Sequence, residues 1–247
     1  MKILFCGKFI AMKKLTFIIS SLIITLITSS CQPEEIEDPN DPNNSNGTTS
    51  TFTDPRDGQV YNIVTIGTQT WFAENLRYAG SIPQVIGNLN WASQTQPAWC
   101  YYDDSPSIGA TYGKMYNWYA VNTGSLCPSG WHIPTDAEWT VLTDYLGGLN
   151  IAGAAMKTTT GWDNNTGATN SSGFSGLPGG SRKQDLGNQN SGESASLGIV
   201  ANFWSSSEEI ISSLPYGVQR HLSSGINEAN RFTVPKETGH SCRCLQD

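Results

Sequence analysis

Cys127-Pro128-Ser129-Gly130-Trp131-His132-Ile133-Pro134-Thr135-Asp136-Ala137-Glu138-Trp139 sets a tight turn, a short apolar stretch and a helix start in direct succession. Thr135 and Glu138 form a Thr-x-x-Glu capping box. Asp136 and Glu138 lie in the first turn, where the helix dipole favours negative charge. Trp139, Leu142 and Leu146 follow at helical spacing on one apolar face, and Gly147-Gly148 supplies the stop. A weaker helix is expected over about 151–157.

Outward from this helix the signals change period. Val60, Tyr61, Ile63, Val64 and Ile66 mark a strand over 59–66; Gly67-Thr68 turns it, and 69–73 returns as a hairpin. Strands are also expected over about 216–222, 229–234 and 239–245. Residues 161–193 are rich in Gly, Asn, Ser and Thr with isolated aromatics, which suits long ordered loops. The expected class is α+β, with short, mostly antiparallel strands, one or two helices and long ordered loops.

The front of the chain is different. Lys13 and Lys14 precede an apolar run over 15–26, the length of a signal-peptide core and too short to span a bilayer. Met12 is a second start, and 1–30 read as a signal peptide. Ile27-Thr28-Ser29-Ser30-Cys31 resembles a bacterial lipobox, which implies that Cys31 is lipidated and anchors the chain to a membrane. An ordinary secretory signal with an incidental cysteine is the alternative. Residues 31–52, polar and acidic with several prolines, read as a disordered tether. Acids directly after the cysteine resemble the surface-export signals of Bacteroidota lipoproteins, with a plain solvated spacer as the equal alternative. The domain then occupies 53–247.

From Cys31 onward there are 10 basic and 21 acidic residues. That surface repels nucleic acid, and no nucleic-acid partner is expected.

Several motifs share one order. They are Asp57-Gly58-Gln59-Val60-Tyr61, Gln69-Thr70-Trp71-Phe72-Ala73-Glu74-Asn75-Leu76, Tyr112-Gly113-Lys114-Met115-Tyr116-Asn117-Trp118 and the opening stretch. Gly176-Leu177-Pro178-Gly179-Gly180, Phe203-Trp204-Ser205-Ser206-Ser207-Glu208 and Ser241-Cys242-Arg243-Cys244 follow. This series resembles the Fibrobacter succinogenes major paralogous domain, found in envelope proteins of Bacteroidota and Fibrobacteres. The resemblance implies a C-type-lectin-like fold related to the formylglycine-generating enzymes. It implies no activity.

Cys100, Cys127, Cys242 and Cys244 form an even set in an exported domain, with three possible pairings. Cys242 and Cys244, on one side of a terminal strand, are poor partners for each other. The resemblance implies Cys127–Cys244, the long-range bridge of lectin-like domains, which leaves Cys100 with Cys242. His240-x-Cys242-x-Cys244 carries zinc-ligand types at a spacing that matches no common zinc motif, and no metal is expected. Gly173-Phe174-Ser175-Gly176 misses the Gly-x-Ser-x-Gly nucleophile spacing by one residue. Gln96-Pro97-Ala98 and Trp162-Asp163-Asn164 lack the full calcium-chelating pattern of sugar-binding lectins.

A non-catalytic binding or structural domain without a cofactor is therefore expected, with a glycan or a protein as ligand. Its face would come from the loops over about 82–112 and 161–193, with Trp91, Trp99 and Trp162 as surface candidates. An enzyme of the formylglycine-generating type, marked by a reactive thiol pair, and a purely structural envelope component are the alternatives.

Overall fold

The computed structural model describes residues 49–165, 167–184 and 191–247. The expected signal peptide, Cys31 and most of the expected tether lie outside them. The described residues belong to one compact unit, Asn40–Asp247. In chain order its elements are β1 (Thr49–Thr53), β2 (Val60–Ile66), β3 (Gln69–Phe72), α1 (Asn88–Ala92), β4 (Trp99–Cys100), α2 (Pro106–Tyr112), β5 (Met115–Tyr116), α3 (Trp118–Val121) and β6 (Trp131–His132). There follow α4 (Asp136–Tyr145), α5 (Leu149–Met156), β7 (Ser181–Arg182), β8 (Ser194–Ala195), β9 (Val200–Ile211), β10 (Leu214–Ser223), β11 (Ala229–Val234) and β12 (Leu245–Gln246). The class is α+β.

One sheet has the order β1-β2-β3-β12-β6, so the last strand of the chain sits between β3 and β6. A second has the order β11-β10-β9. The named strand pairs are antiparallel. Folded structure begins earlier than the sequence suggests, because β1 starts at Thr49, inside the stretch expected to be tether. Phe52 pairs with Tyr61 and rests 5.7 Å from the Phe72 ring and 5.2 Å from the Trp131 ring, which binds the alternating Thr-Ser-Thr-Phe-Thr segment to the sheet.

The helix α4 starts as expected. The Glu138 amide donates to Thr135 Oγ1 at 3.2 Å, and the Thr135 amide donates to Glu138 Oε2 at 2.7 Å. Gly148 then donates back to the Thr143 carbonyl at 2.8 Å. Asp136 ties the helix to the second sheet by accepting from Arg220 at 2.6 Å and from Arg231 at 2.8 Å.

Two apolar layers result. Trp71, Trp139, Leu142, Met156, Phe174, Phe203 and Leu222 pack between α4, α5 and the sheets. Tyr61, Phe72, Tyr116, Trp118, Trp131 and Trp204 pack on the other side, around Cys127 and Cys244. Those two cysteines are bonded, with Cα atoms 5.8 Å apart, across 117 residues of sequence. The bridge fastens β12, and with it the chain end, to the loop before β6.

Cys100 and Cys242 are not bonded to each other, which corrects the expected second bridge. The strand β5 lies between them. Tyr116 pairs with Trp99 on one side and with His240 on the other. Two strand spacings, about 9.6 Å, exceed the reach of a disulfide. The register also points the two thiols to opposite faces. Cys100 shares a face with Met115, whereas Cys242 shares one with His240 and Tyr116. Both thiols are buried, and burial raises the pKa of each well above the usual thiol range.

Candidate functional site

Parts of the two loop stretches expected to form the face meet at a buried arginine. Arg182 is fully buried; its guanidinium donates to Asp104 Oδ1 at 2.9 Å, to Asn88 Oδ1 at 2.9 Å and to the Gly192 carbonyl. The Gly87 amide donates to Asp104 Oδ2 at 2.9 Å, and the Asp103 amide to Ser194 Oγ at 2.8 Å. Loops that are distant in sequence therefore close on one cation. Their approach is tight at Gly192, where an added Cβ would lie 1.8 Å from the Asn88 carbonyl oxygen.

The tryptophans on these loops do not serve as an exposed platform, which corrects two of the three surface candidates. Trp91 has no exposed area and packs with Ala98, Cys100 and Met115. Trp162 is buried in the helix-side core and donates from Nε1 to Thr158 Oγ1 at 3.1 Å. Trp99 alone is half-buried. It donates to the Ile82 carbonyl at 3.0 Å, meets Tyr101 edge-on at 5.0 Å and lies 4.5 Å from Lys114 Nζ. An indole whose N–H is already committed and whose face is covered by a cation offers little to a ligand.

A better-formed recess lies where β11 stops. The ladder of β11 on β10 ends at the Gly217–Val234 pair, and Pro235 has no amide to continue it. The lane beside Leu214, Pro215 and Tyr216 is left vacant. Tyr119, Gln184, Lys236 and Glu237 complete its walls around a volume of ≈ 390 Å³. Tyr119 and Tyr216 are half-buried where they line it. The Tyr119 hydroxyl donates to Glu237 Oε1 at 2.8 Å. Burial and the Glu237 carboxylate push its pKa up to about 12, so it remains a neutral donor. Lys236 is spoken for: it bonds Glu208 and lies 4.2 Å from the Trp118 ring. The recess thus offers two phenol rings, a carboxylate and an amide, with apolar flanks. Sequence reasoning passed over these residues. The turn-breaking Pro235 after a strand was the available signal.

A second recess, of ≈ 430 Å³, is lined by Asn62, Ala73, Glu74, Thr158, Asn170, Gly173, Ser175 and Leu177. Behind it lies Arg243, fully buried, donating to Asn75 Oδ1 at 2.9 Å, the Phe72 carbonyl at 3.1 Å, the Ser175 carbonyl at 2.8 Å and the Phe174 carbonyl. Burial lowers its pKa to about 9. Glu74 is held by Arg77 and by the Asn62 backbone amide at 2.9 Å; burial alone would raise its pKa, but these donors outweigh it and lower it.

The residues of zinc-ligand type do not come together as a ligand set. Cys244 is in the disulfide, and the His240 ring is fully buried beside Trp204. Among the described residues no three His, Cys, Asp or Glu side chains group as a metal site.

This is a disulfide-tied α+β module whose recesses are built from loops on a rigid aromatic core. The chain belongs to the Fibrobacter succinogenes major domain family, whose model matches residues 64–246. Neither the curated proteins nor the solved structures provide a match.

Proposed function

We propose that the chain is a cell-envelope lipoprotein that displays a non-catalytic binding domain of the C-type-lectin-like fold, with a glycan or a protein as ligand. The recess between Tyr119 and Tyr216 is the observation that carries this reading. Phenol rings stack on the apolar faces of sugars or side chains, while a carboxylate and an amide orient polar groups. The lectin-like assignment draws support from the chain end, which is bridged to the core through Cys127–Cys244 and inserted between β3 and β6. A disulfide also suits an oxidising compartment outside the cytoplasm. It accords with a signal segment over 1–30, a lipid anchor at Cys31, and placement in the outer membrane or at the cell surface. A thiol-dependent oxidase would need an exposed thiol pair, whereas Cys244 is bonded and Cys242 is buried.

Binding of the exported chain to a glycan array and to envelope protein extracts tests the ligand reading. Tyr216→Ala should abolish whatever binding the wild type shows; unchanged binding would remove the recess from consideration. Labelling with an alkynyl fatty acid tests the anchor, since Cys31→Ala should lose the label.

A further inference from the structure

Twice in this fold a phenol ring, a carboxylate and a backbone carbonyl converge on an arginine. Arg56 bonds Asp54 at 2.7 Å and the Ser125, Leu126 and Cys127 carbonyls at 2.9 Å. Its guanidinium carbon lies 3.5 Å from the centre of the Tyr78 ring. Arg77 bonds Glu74 and, at 2.7 Å, the Val60 carbonyl, with its guanidinium carbon 4.5 Å from the centre of the Tyr61 ring. The three groups act together on one cation. The oxygens accept from the edges of the planar fork, and the ring attracts its face.

The recess beside β10 holds the same three groups without the arginine. Glu237 accepts from the Tyr119 hydroxyl through Oε1. Among the described residues no cation pairs with its carboxylate, and Oε2 has no partner. Lys236, next in the chain, is directed to Glu208 and to the Trp118 ring. Tyr119 and Tyr216 supply the phenols. The carbonyl comes from Pro215. Ser212 and Ser213 both adopt left-handed backbone, with φ of 51° and 69°, and a two-residue turn of this kind makes Ile211 and Leu214 a hydrogen-bonded pair. The Pro215 carbonyl therefore points away from β9, into the lane that β11 leaves vacant.

We propose that the recess receives an arginine side chain of a partner protein, with its guanidinium edge on Glu237 and the Pro215 carbonyl and its flat face toward the tyrosines. This rests on the reading of the recess as the binding site and narrows the ligand to a basic segment of a protein. The charge of the chain favours such a partner, since from Cys31 onward 21 acidic residues stand against 10 basic ones.

Other occupants fit less well. Neither 32–48 nor 185–190 of this chain carries a lysine or an arginine, so neither supplies the cation. A calcium ion takes about six to eight oxygens, whereas the recess offers Glu237, the Pro215 carbonyl and the Gln184 amide. A lysine ammonium is a compact point charge and matches acceptors spread around a planar fork less well.

The test is NMR titration of the full chain, at about 0.15 M salt, with capped Gly-Arg-Gly, Gly-Lys-Gly and Gly-citrulline-Gly peptides. The arginine peptide should bind saturably. The citrulline peptide keeps the shape and loses the charge, and it should bind about tenfold or more weaker. The lysine peptide should fall between them; tightest binding by lysine would overturn the choice of arginine. Glu237→Gln keeps an acceptor for the Tyr119 hydroxyl. It should weaken the arginine peptide by a similar factor and leave the citrulline peptide unchanged. Asp144→Asn, which removes an exposed acid on α4, should change neither. Equal binding of the arginine and citrulline peptides, no saturable binding of the arginine peptide, or an equal loss from Asp144→Asn overturns the proposal. Array and extract ligands keep the two readings apart. If Tyr216→Ala abolishes their binding and Glu237→Gln leaves it intact, the recess stands and the arginine is overturned. If neither variant changes it, the recess falls as well.

Discussion

The His240 ring stands 4.6 Å from the Trp204 ring, and among the described residues neither of its nitrogens finds a hydrogen-bond partner. The side chain is fully buried, and desolvation pulls its pKa down to about 3. A histidine ordinarily titrates near 6.5. Below that pH the unfolded chain binds a proton that the folded chain refuses. Stability contributed by the neutral ring is therefore complete above about 6.5 and is lost as pH falls toward 3, with a slope of at most about 1.4 kcal/mol per pH unit. His221, also lowered by burial, acts in the same direction. His132 acts in the opposite one: burial lowers its pKa, but hydrogen bonds to Asp247 and Glu138 outweigh that and raise it. Its contribution is present below about 6.5 and fades as pH rises through its folded pKa. Screening at a residue 35% exposed keeps it small. His240→Phe keeps the aromatic contact and removes the titration. Its melting temperature should fall less than that of the wild type between pH 7 and pH 5. Parallel pH profiles would refute this account.

The cysteines give a direct count. In the chain beginning at Gln32, denaturation under non-reducing conditions should release two reactive thiols, Cys100 and Cys242, and native protein should show none. Peptide mapping should return Cys127 joined to Cys244. Cys127→Ala should cost about 2–5 kcal/mol, the usual range for losing a long-range bridge. Finding no thiol after denaturation would mean that Cys100 and Cys242 are joined after all, against the strand that separates them.

Arg243 should be the most costly charge to remove. Its guanidinium satisfies three carbonyls and the Asn75 side chain inside the core, and it lies 4.4 Å from the Phe174 ring. Arg243→Met strands those acceptors without water, at about 3–5 kcal/mol. Arg243→Lys should also destabilise, because one ammonium cannot span a planar fork of acceptors. Urea unfolding measures both. A loss below about 1 kcal/mol for Arg243→Met would show that the acceptors find other partners.

Local signals were legible in the sequence, and long-range ones were not. Thr135 and Glu138 specify α4 with atoms three residues apart, so the cap could be read directly. The twelve-residue β9 went unassigned because its two halves look unlike each other. Its first half is a buried run, and its second half, Ser205-Ser206-Ser207-Glu208-Glu209, has neither alternation nor strong strand propensity. Its partners, β10 and Ser241, make it a strand. Trp91 could be read as an aromatic in a loop, yet not as inward-facing, since Gly239 and Cys100 reach it from elsewhere in the chain. The recess at Tyr119 and Tyr216 joins α3 to β10 across nearly a hundred residues, beyond any local pattern.

Trp139 and Thr135 separate core from cap most sharply. The Trp139 indole lies 4.7 Å from the Trp71 ring and 5.8 Å from those of Phe174 and Phe203, with no exposed area. Its Nε1 donates to the Trp204 carbonyl at 3.4 Å, a long bond that adds little to the packing. Truncating such a side chain costs about 3–5 kcal/mol in lost burial and residual cavity. Thr135 does less, since its hydroxyl satisfies one amide of the first turn and contributes about 1 kcal/mol. Thr135→Ala also leaves the Thr135 amide free to donate to Glu138, so half of the capping box survives. Thermal unfolding should therefore show a sharp loss for Trp139→Ala and a shift of only a few degrees for Thr135→Ala. Equal shifts for the two would mean that the first turn of α4, and not its buried tryptophan, holds the helix on the sheet.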